Sequence, residues 1–126
     1  MNLARIRSEF GVAQQQFAQI ELYPTSDGKI YVRAALQPSS PQFYIVSMYF
    51  PDTYPNEMPS VYVDKPVIDS SVPHRYTKGN ICYLHPSMWN PGSHDVSFVL
   101  GRTAKWLSKY EIWRLRRRWP GASLSH

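Results

Sequence analysis

The sequence predicts an α+β fold in which helices cover one face of a four-stranded antiparallel meander. A helical pattern of apolar residues opens the chain, segments of period two separated by turn residues follow, and a second helical pattern lies near the C-terminus. The chain has 126 residues, 43% of them hydrophobic, which is enough to bury a core. We therefore expect a single domain over residues 1–126, with a basic C-terminal tail at about residues 114–126.

The first helix and the first strand are predicted by a change of period. Apolar residues first recur every three or four positions, at Leu3, Ile6, Phe10 and Ala13. Gly11 is a candidate end for this amphipathic helix. The period then becomes two, with apolar residues at Ala18, Ile20 and Leu22. Such alternation is typical of a half-buried strand.

Three further strands are separated by proline and glycine turns. Asp27 and Gly28 suit a hairpin turn, because glycine readily takes the positive backbone angle that such turns need. Residues 30–36, 43–50 and 61–63 are rich in aromatic and β-branched side chains, so they are predicted as the second, third and fourth strands. The three prolines of residues 51–59 predict a stiff loop that cannot join the sheet.

The second helix is predicted to begin after Asp95, a suitable N-cap residue. Its apolar stripe is Val96, Val99, Leu100, Thr103, Leu107 and Tyr110, with Trp106 and Trp113 on the flank. Residues 66–92, which precede it, show no convincing regular element. An irregular segment of this length inside a small domain is usually functional.

Charge and composition limit the classes of function. The net charge is +5, and the excess lies in residues 102–118, which hold seven basic residues and one acidic residue. This segment suits a solvated tail, a protein partner or, least of all, nucleic acid, and the sequence leaves the three open. No apolar run is long enough to cross a membrane, and the N-terminus lacks a secretory signal. With a single cysteine, the chain is expected in the cytoplasm.

Cys82 is the first candidate for a reactive atom. It lies in the irregular segment, and a lone cysteine has no partner for a disulfide within the chain. His74 and His85 lie within eight residues of it, and His94 lies twelve residues beyond. Loops on a rigid scaffold often carry reactive residues, although free cysteines are also common as small buried hydrophobes.

Three motifs in this region resemble those of the ubiquitin-conjugating enzyme (UBC) family. Residues 50–55 and 59–63 resemble the family's F-P-x-x-Y-P and P-x-V-x-F signature. Residues 79–84, Gly-Asn-Ile-Cys-Tyr-Leu, resemble the G-x-I-C-L run that contains the active cysteine. Residues 89–91, Trp-Asn-Pro, resemble the W-x-P that follows it. Together the motifs occur in the family's order, over roughly residues 43–100.

The resemblance implies a UBC-like fold without the last two helices of eukaryotic members. It also implies a role for Cys82, which would form a thioester with the C-terminus of a partner protein and pass the acyl group to an amine. Compact bacterial members occur in CBASS-type antiphage operons beside cyclic-nucleotide synthases. A synthase is therefore the candidate partner and an activating enzyme a second one, while no cofactor, membrane or nucleic acid is expected.

The resemblance also assigns candidate site residues, with one departure. His74 stands where the family has the asparagine of an H-P-N triplet, which is thought to steady the oxyanion. An imidazole can also donate a hydrogen bond to an oxyanion, so Cys82 and His74 are the expected catalytic residues. Four more residues are candidates for partner binding, although each also suits a structural role: Tyr54, Pro55, Trp89 and Pro91. Arg75, Lys78 or a histidine would favour the thiolate if close to it.

Other functions remain as alternatives. The main one is a non-catalytic UBC-like module that binds protein, although such modules usually lack the cysteine. A cysteine hydrolase would need a base oriented by a third group, and no hydrolase signature is present. A metal site would draw on His74, Cys82, His85 and His94, but their spacing matches no paired zinc pattern. His85 and His94 are more typical of structural or surface histidines.

Overall fold

The computed structural model describes residues 2–39 and 41–121. In chain order it has helix α1 (Leu3–Ala13), strands β1 (Ile20–Pro24), β2 (Ile30–Leu36), β3 (Tyr44–Tyr49) and β4 (Ser60–Lys65), and helix α2 (Val96–Arg116). A single 3-10 turn, Pro86–Met88, lies between β4 and α2. The predicted α+β architecture, with an N-terminal helix, a four-stranded meander and a second helix, is confirmed.

Helix α1 begins at a capping residue and continues past its glycine. The Asn2 side-chain oxygen accepts a hydrogen bond from the Arg5 amide at 3.0 Å, as expected of an N-cap. Ile6 and Ala13 are fully buried, so the predicted apolar face does reach the core. The predicted end at Gly11 is wrong. A helical glycine costs about 1 kcal/mol relative to alanine, and the burial of Ala13 in the next turn offsets that loss.

The sheet is a meander in the order β1-β2-β3-β4, with every neighbouring pair antiparallel. Strand β2 alternates strictly between buried and partly exposed residues, which places Val32 and Ala34 in the core. The opposite face carries a row of tyrosines whose rings contact one another across all four strands: Tyr23, Tyr31, Tyr49 and Tyr62. The predicted strands are present, although β1 begins at Ile20 and β4 extends over Ser60–Lys65.

Helix α2 begins as predicted and supplies much of the core. The Asp95 carboxylate accepts a hydrogen bond from the Phe98 amide at 2.8 Å. All six residues of the predicted stripe are buried. The placement of Trp106 and Trp113 on the flank is wrong, because both are buried, Trp106 completely. Trp106 is covered because residues from the loop after β4 and from beyond the helix lie against it; its ring is 5.4 Å from that of Trp119.

The basic segment after residue 113 is partly helical. Arg114 and Arg116 belong to the last turn of α2, and Arg117 ends the helix with a left-handed backbone, φ 56°. The Arg117 guanidinium lies 4.6 Å from the Trp113 ring centroid and bonds to Asp69 at 3.0 Å. Residues 122–126 of the predicted tail lie outside the described residues. Among the described helices, none is long and apolar enough to cross a membrane.

Candidate functional site

Cys82 lies at the end of a small hairpin that we call the cysteine hairpin, residues 74–82. Arg75 and Ile81 form a β-bridge, and backbone hydrogen bonds flank it. The Tyr76 amide donates to the Asn80 carbonyl at 2.9 Å, and the Cys82 amide donates to the His74 carbonyl at 2.8 Å. The turn contains Gly79 at φ 100°, which suits glycine and strains other residues. His74 and Cys82 therefore face each other across the hairpin.

Three attachments fix the cysteine hairpin to the rest of the molecule. The Ile81 amide donates to the Val61 carbonyl of β4 at 2.9 Å. From α2, the Trp106 indole donates to the His74 carbonyl at 3.1 Å. Just after the cysteine, the buried Tyr83 hydroxyl donates to the Pro59 carbonyl of the proline loop at 2.6 Å. The sheet, the second helix and the proline loop thus all position the segment that carries the thiol.

The Cys82 thiol is largely covered, with 6% of the residue exposed. The Tyr76 hydroxyl donates to Sγ at 3.2 Å, and Sγ lies 3.6 Å from the Leu84 carbonyl oxygen. Burial raises the pKa of the thiol, while the hydrogen bonds with Tyr76 and with the Leu84 backbone lower it. Burial is the largest of these causes, so the pKa of the thiol lies above its ordinary value.

The structure brings His74 to Cys82 through the backbone, and the His74 ring packs near Trp119. His74 has a left-handed backbone, φ 60°, which turns its side chain out of the direction of an extended strand. Its ring lies 4.9 Å from that of Trp119. Burial and the nearby positive charge of Lys109 lower the pKa of His74, so the imidazole is predominantly neutral at neutral pH.

Tyr76 is the functional candidate that the sequence analysis missed. It lies outside the motifs quoted above, and its contact with Cys82 spans six residues of an irregular segment. In an antiparallel hairpin, residues offset by two from direct opposition are diagonal neighbours within reach of a long side chain. The sequence feature that could have identified Tyr76 is the turn at residues 77–79. This turn sets the register of the hairpin and thereby places Tyr76 diagonal to Cys82.

The remaining two histidines stabilise turns in what we call the post-cysteine segment, residues 85–94. The His85 Nδ1 accepts from the Ser87 amide at 3.2 Å and caps the 3-10 turn. The His94 Nδ1 accepts from the Asn90 amide at 3.0 Å. The His94 ring is parallel to that of Phe98, with their centroids 3.8 Å apart. Each histidine is oriented by local structure and neither contacts the thiol.

The four candidate partner-binding residues lie at the junction of the proline loop and the post-cysteine segment. The Trp89 indole donates to the Pro55 carbonyl at 2.8 Å, which joins the two segments. Tyr54 is 2% exposed, and the Pro91 carbonyl accepts from Arg5 at 2.7 Å. Trp89 and Pro55 are half-buried. Of the four, Trp89 also lines the groove described below.

Glu9 of α1 organises that junction. Its carboxylate accepts from the Tyr54 hydroxyl and from the Arg5 guanidinium, and it also accepts from the Val96 amide at 3.1 Å. Arg5 in turn donates to the Pro91 carbonyl and, at 3.2 Å, to the His94 carbonyl. One carboxylate therefore joins the first helix, the proline loop and the start of α2.

A groove of about 520 Å³ lies between the proline loop and the cysteine hairpin. Its walls come from both segments and from Trp89, and they include Met58, Tyr76, Lys78 and Asn80. The Asn80 side-chain oxygen is buried and accepts no hydrogen bond. Tyr76 is shared between the groove and the thiol, because the residue lines the groove and its hydroxyl contacts the Cys82 sulfur.

The described residues offer no grouping of three or more histidine, cysteine, aspartate or glutamate side chains that could hold a metal ion. The arrangement around the sulfur consists of one cysteine, a hydroxyl donor on its sulfur, and a groove that is linked to it through Tyr76. A centre of this kind can carry an acyl group on sulfur and expose it to an attacking amine.

Comparisons with known proteins bear on the family and on the fold. The family model described as "Type II CBASS E2 protein" matches residues 10–126. Among solved structures, the Vps23 UEV in complex with ubiquitin is similar, with 17% identity, TM-score 0.61, and coverage of 85% of this chain and 84% of that one. The yeast Vps23 UEV domain in complex with a Vps27 PSDP peptide has 20% identity and TM-score 0.60, over 84% and 81% of the two chains. No curated protein matches.

Proposed function

The chain belongs to the type II CBASS E2 family, and on that premise we propose that Cys82 carries the C-terminal acyl group of a partner protein as a thioester and transfers it to an amine. The family and the UBC-like fold give the chain an E2-like role in CBASS, and the two structural relatives support the fold alone. The thioester, its donor and its acceptor are the parts that we propose.

The observation that carries the proposal is the position of the Cys82 sulfur. It lies at the end of the cysteine hairpin, in contact with the Tyr76 hydroxyl, and that tyrosine lines the groove. A purely structural cysteine needs neither a hydroxyl donor nor an adjacent groove. A thioester is also suited to relay chemistry, because it remains reactive toward nitrogen nucleophiles while the enzyme exchanges partners.

The groove is the site that we assign to the end of the donor protein. Met58 and Trp89 offer apolar surface, and Asn80 offers an amide, to a chain that enters between the proline loop and the hairpin. An extended C-terminal segment fits such a groove because its backbone can be contacted along its length. The candidate donor is a cyclic-nucleotide synthase, and an activating enzyme is the candidate source of the activated acyl group.

His74 remains our candidate donor to the oxyanion of the acyl carbonyl. Its backbone carbonyl accepts the hydrogen bond from the Cys82 amide, so the two residues lie directly opposite each other in the hairpin. Because its pKa is lowered, the ring would donate as a neutral imidazole. The ring now packs near Trp119, with the two ring centroids 4.9 Å apart.

The test is adduct formation with the proteins encoded beside this chain. We expect the wild-type protein, mixed with the synthase and any activating enzyme, to give a covalent adduct that reducing agent removes and that mass spectrometry locates at Cys82. Cys82→Ser should give an ester that resists mild thiol treatment, Cys82→Lys should trap an isopeptide, and Cys82→Ala should give nothing. Binding of the partners without any thiol-sensitive adduct of the wild type would contradict the proposal.

A non-catalytic protein-binding module is the second candidate, favoured by the small exposure of Cys82 and by the nature of the structural relatives. Their titles describe UEV domains that hold ubiquitin or a peptide. On this alternative, Cys82→Ala would leave both partner binding and phage defence intact. On our proposal, the same variant retains binding and loses defence.

A further inference from the structure

The side chain that contacts the reactive sulfur is Tyr76, not one of the residues expected from the sequence. Its hydroxyl lies 3.2 Å from Cys82 Sγ, and 40% of the residue is exposed. We propose that Tyr76 is a catalytic residue, whose hydroxyl stabilises the Cys82 thiolate by hydrogen bonding whenever a thioester is made or released. This inference rests on the proposed function and identifies the group that acts on its sulfur.

The hydroxyl acts as a donor and not as a base. Burial and the contact with Cys82 raise the pKa of Tyr76 to about 12. The phenol therefore stays protonated throughout the range in which a thiol ionises. A hydrogen bond from a neutral donor to an anion is stronger than one to the neutral thiol, so the contact favours the thiolate.

The bonds made and broken show where that stabilisation acts. During loading, the Cys82 thiolate attacks the carbonyl carbon of a donor that is already activated as a thioester. A new carbon–Sγ bond forms, the donor's carbon–sulfur bond breaks, and the donor thiolate leaves. During transfer, an amine attacks the same carbon, a carbon–nitrogen bond forms, and the electron pair of the broken bond returns to Sγ. The amine's surplus proton passes to solvent, and nothing is oxidised or reduced.

In both steps the form of Sγ that reacts or is released without an acyl group is the thiolate anion. It is the nucleophile in loading and the leaving group in transfer. A donor fixed beside Sγ therefore helps both directions of the chemistry, whereas an oxyanion donor must reach the carbonyl oxygen. Tyr76 thus complements the proposed role of His74 and does not duplicate it.

The hairpin holds Tyr76 in place for this role. The Tyr76 amide donates to the Asn80 carbonyl and its carbonyl accepts from the Gly79 amide, both at 2.9 Å. With both backbone groups bonded, the side chain starts from a fixed point diagonal to Cys82. Two nearby guanidinium groups are bonded to backbone carbonyls: Arg75 of the hairpin donates to the Gly79 carbonyl at 3.3 Å, and Arg102 of α2 donates to the Tyr83 carbonyl at 3.1 Å. The His74 ring packs near Trp119.

The first experiment needs no partner protein. Alkylation of Cys82 by iodoacetamide would be followed across the pH range in which thiols ionise, for the wild type, Tyr76→Phe and Tyr23→Phe. Tyr23 is a control of similar exposure, 38%, in the tyrosine row of the sheet. Tyr76→Phe keeps the aromatic ring and removes only the hydroxyl that contacts the sulfur, so access of the reagent should change little. A urea unfolding curve of each variant confirms that it is folded.

We expect the midpoint of the pH–rate profile to rise by about one pH unit in Tyr76→Phe, which lowers the thiolate fraction near neutral pH about tenfold. Alkylation there should be about threefold slower, because a thiolate of higher pKa is the better nucleophile. Tyr23→Phe should match the wild type. A Tyr76→Phe profile that coincides with the wild-type profile would overturn the proposal and leave the contact as packing alone.

The second experiment follows transfer itself. Cys82 would be acylated by exchange with an acetyl thioester of a small thiol, and its discharge to free lysine measured in a single turnover. Discharge should be several-fold slower in Tyr76→Phe and unchanged in Tyr23→Phe, because the leaving thiolate loses its donor. Equal discharge rates for the wild type and Tyr76→Phe would also overturn the proposal.

The two proposals fail in different ways. If the wild type never forms an adduct with its partner proteins, the proposed function fails, while the alkylation profile still decides whether Tyr76 acts on the sulfur. If the adduct forms but Tyr76→Phe behaves as the wild type in both assays, only the assignment of Tyr76 falls.

Discussion

The cysteine hairpin and the post-cysteine segment are close in the chain, with Tyr83 and Leu84 between them, yet they are held by different kinds of contact. The hairpin is held mainly through backbone groups, such as the Ile81 amide on Val61 and the Cys82 amide on His74. The post-cysteine segment is held mainly through side chains, including Trp89 on the Pro55 carbonyl and Arg5 on the Pro91 carbonyl.

This difference determines which side chains are available for chemistry. In the hairpin, hydrogen bonds between backbone groups hold the structure, so the side chains are not needed for that purpose. Those of Tyr76, Lys78 and Asn80 line the groove. In the post-cysteine segment the side chains themselves hold the structure, and His85 and His94 are committed to turns. Substitutions should therefore affect stability mainly in the second region and reactivity mainly in the first.

The largest effect on stability is expected from Glu9→Gln, which weakens the junction that holds the post-cysteine segment. The variant removes the charge that pairs with Arg5 and leaves fewer acceptors for Tyr54 and the Val96 amide. We expect a loss of about 2 kcal/mol in the free energy of unfolding, since hydrogen bonds to charged groups contribute about 1.5–3 kcal/mol. Urea denaturation measures it.

The matched control is Glu21→Gln, at an exposed position of β1. It should change the free energy of unfolding by less than about 0.5 kcal/mol. If Glu9→Gln were as mild as this control, the junction would not be held by its carboxylate, and the contrast between the two regions would lose its basis.

A smaller loss of stability, with a change in reactivity, is expected for Gly79→Ala. A non-glycine residue at φ 100° is strained, and the cost should be about 1 kcal/mol, the low end for strained backbone, because an added Cβ would meet only ordinary contacts. The strain displaces the hairpin turn and with it the Tyr76 hydroxyl, so alkylation of Cys82 should slow near neutral pH. Iodoacetamide kinetics and urea denaturation measure the two consequences.

Gly28→Ala is the control for this prediction. Gly28 has a similar positive angle, φ 82°, but lies in the turn between β1 and β2. It should lose comparable stability and keep the wild-type reactivity of Cys82. Slower alkylation in both variants would show that reactivity follows global stability and not the geometry of the hairpin.

The smallest effect concerns the two histidines with lowered pKa, one in each region. Burial is the main cause for both, and the Lys109 charge adds to it for His74 alone. Because the folded-state pKa lies below the ordinary value, protonation opposes folding, and stability falls as the pH drops from the ordinary pKa toward the folded one. Lys109→Gln should raise the pKa of His74 and leave that of His94 in place.

An NMR titration of the imidazole signals would follow both groups in one experiment. Equal movement of the two pKa values in Lys109→Gln would point to a general change of structure. No movement of His74 would remove the Lys109 charge as a cause and leave burial alone.

The parts of the fold that follow from periodicity and capping were predictable from the sequence. The N-cap Asp95 and the stripe of α2 are local features, and the motif around Cys82 is local as well. Trp106 was misplaced because a helical pattern identifies one buried face, whereas the hairpin buries a second face of α2. The indole of Trp106 bonds to the His74 carbonyl there.

The side-chain arrangement at the thiol depended on features that sequence patterns do not carry. The left-handed backbone of His74 occurs where its carbonyl is bonded by Trp106 and its ring lies on Trp119, which are contacts across 32 and 45 residues of sequence. Tyr76 reaches Cys82 through the register of the hairpin. Without that register, six intervening residues allow many separations of the two side chains.

The His74 carbonyl, which accepts from both the Cys82 amide and the Trp106 indole, has one more consequence. A carbonyl oxygen has two lone pairs, and here both are engaged. The Cys82 backbone and α2 are therefore bonded to the same oxygen atom. The neighbouring Ile81 and Tyr83 are bonded to β4 and to the proline loop. Three attachments therefore fix the position of the sulfur: the bonds to the His74, Val61 and Pro59 carbonyls. If any one of them is removed, the other two still hold the cysteine in place.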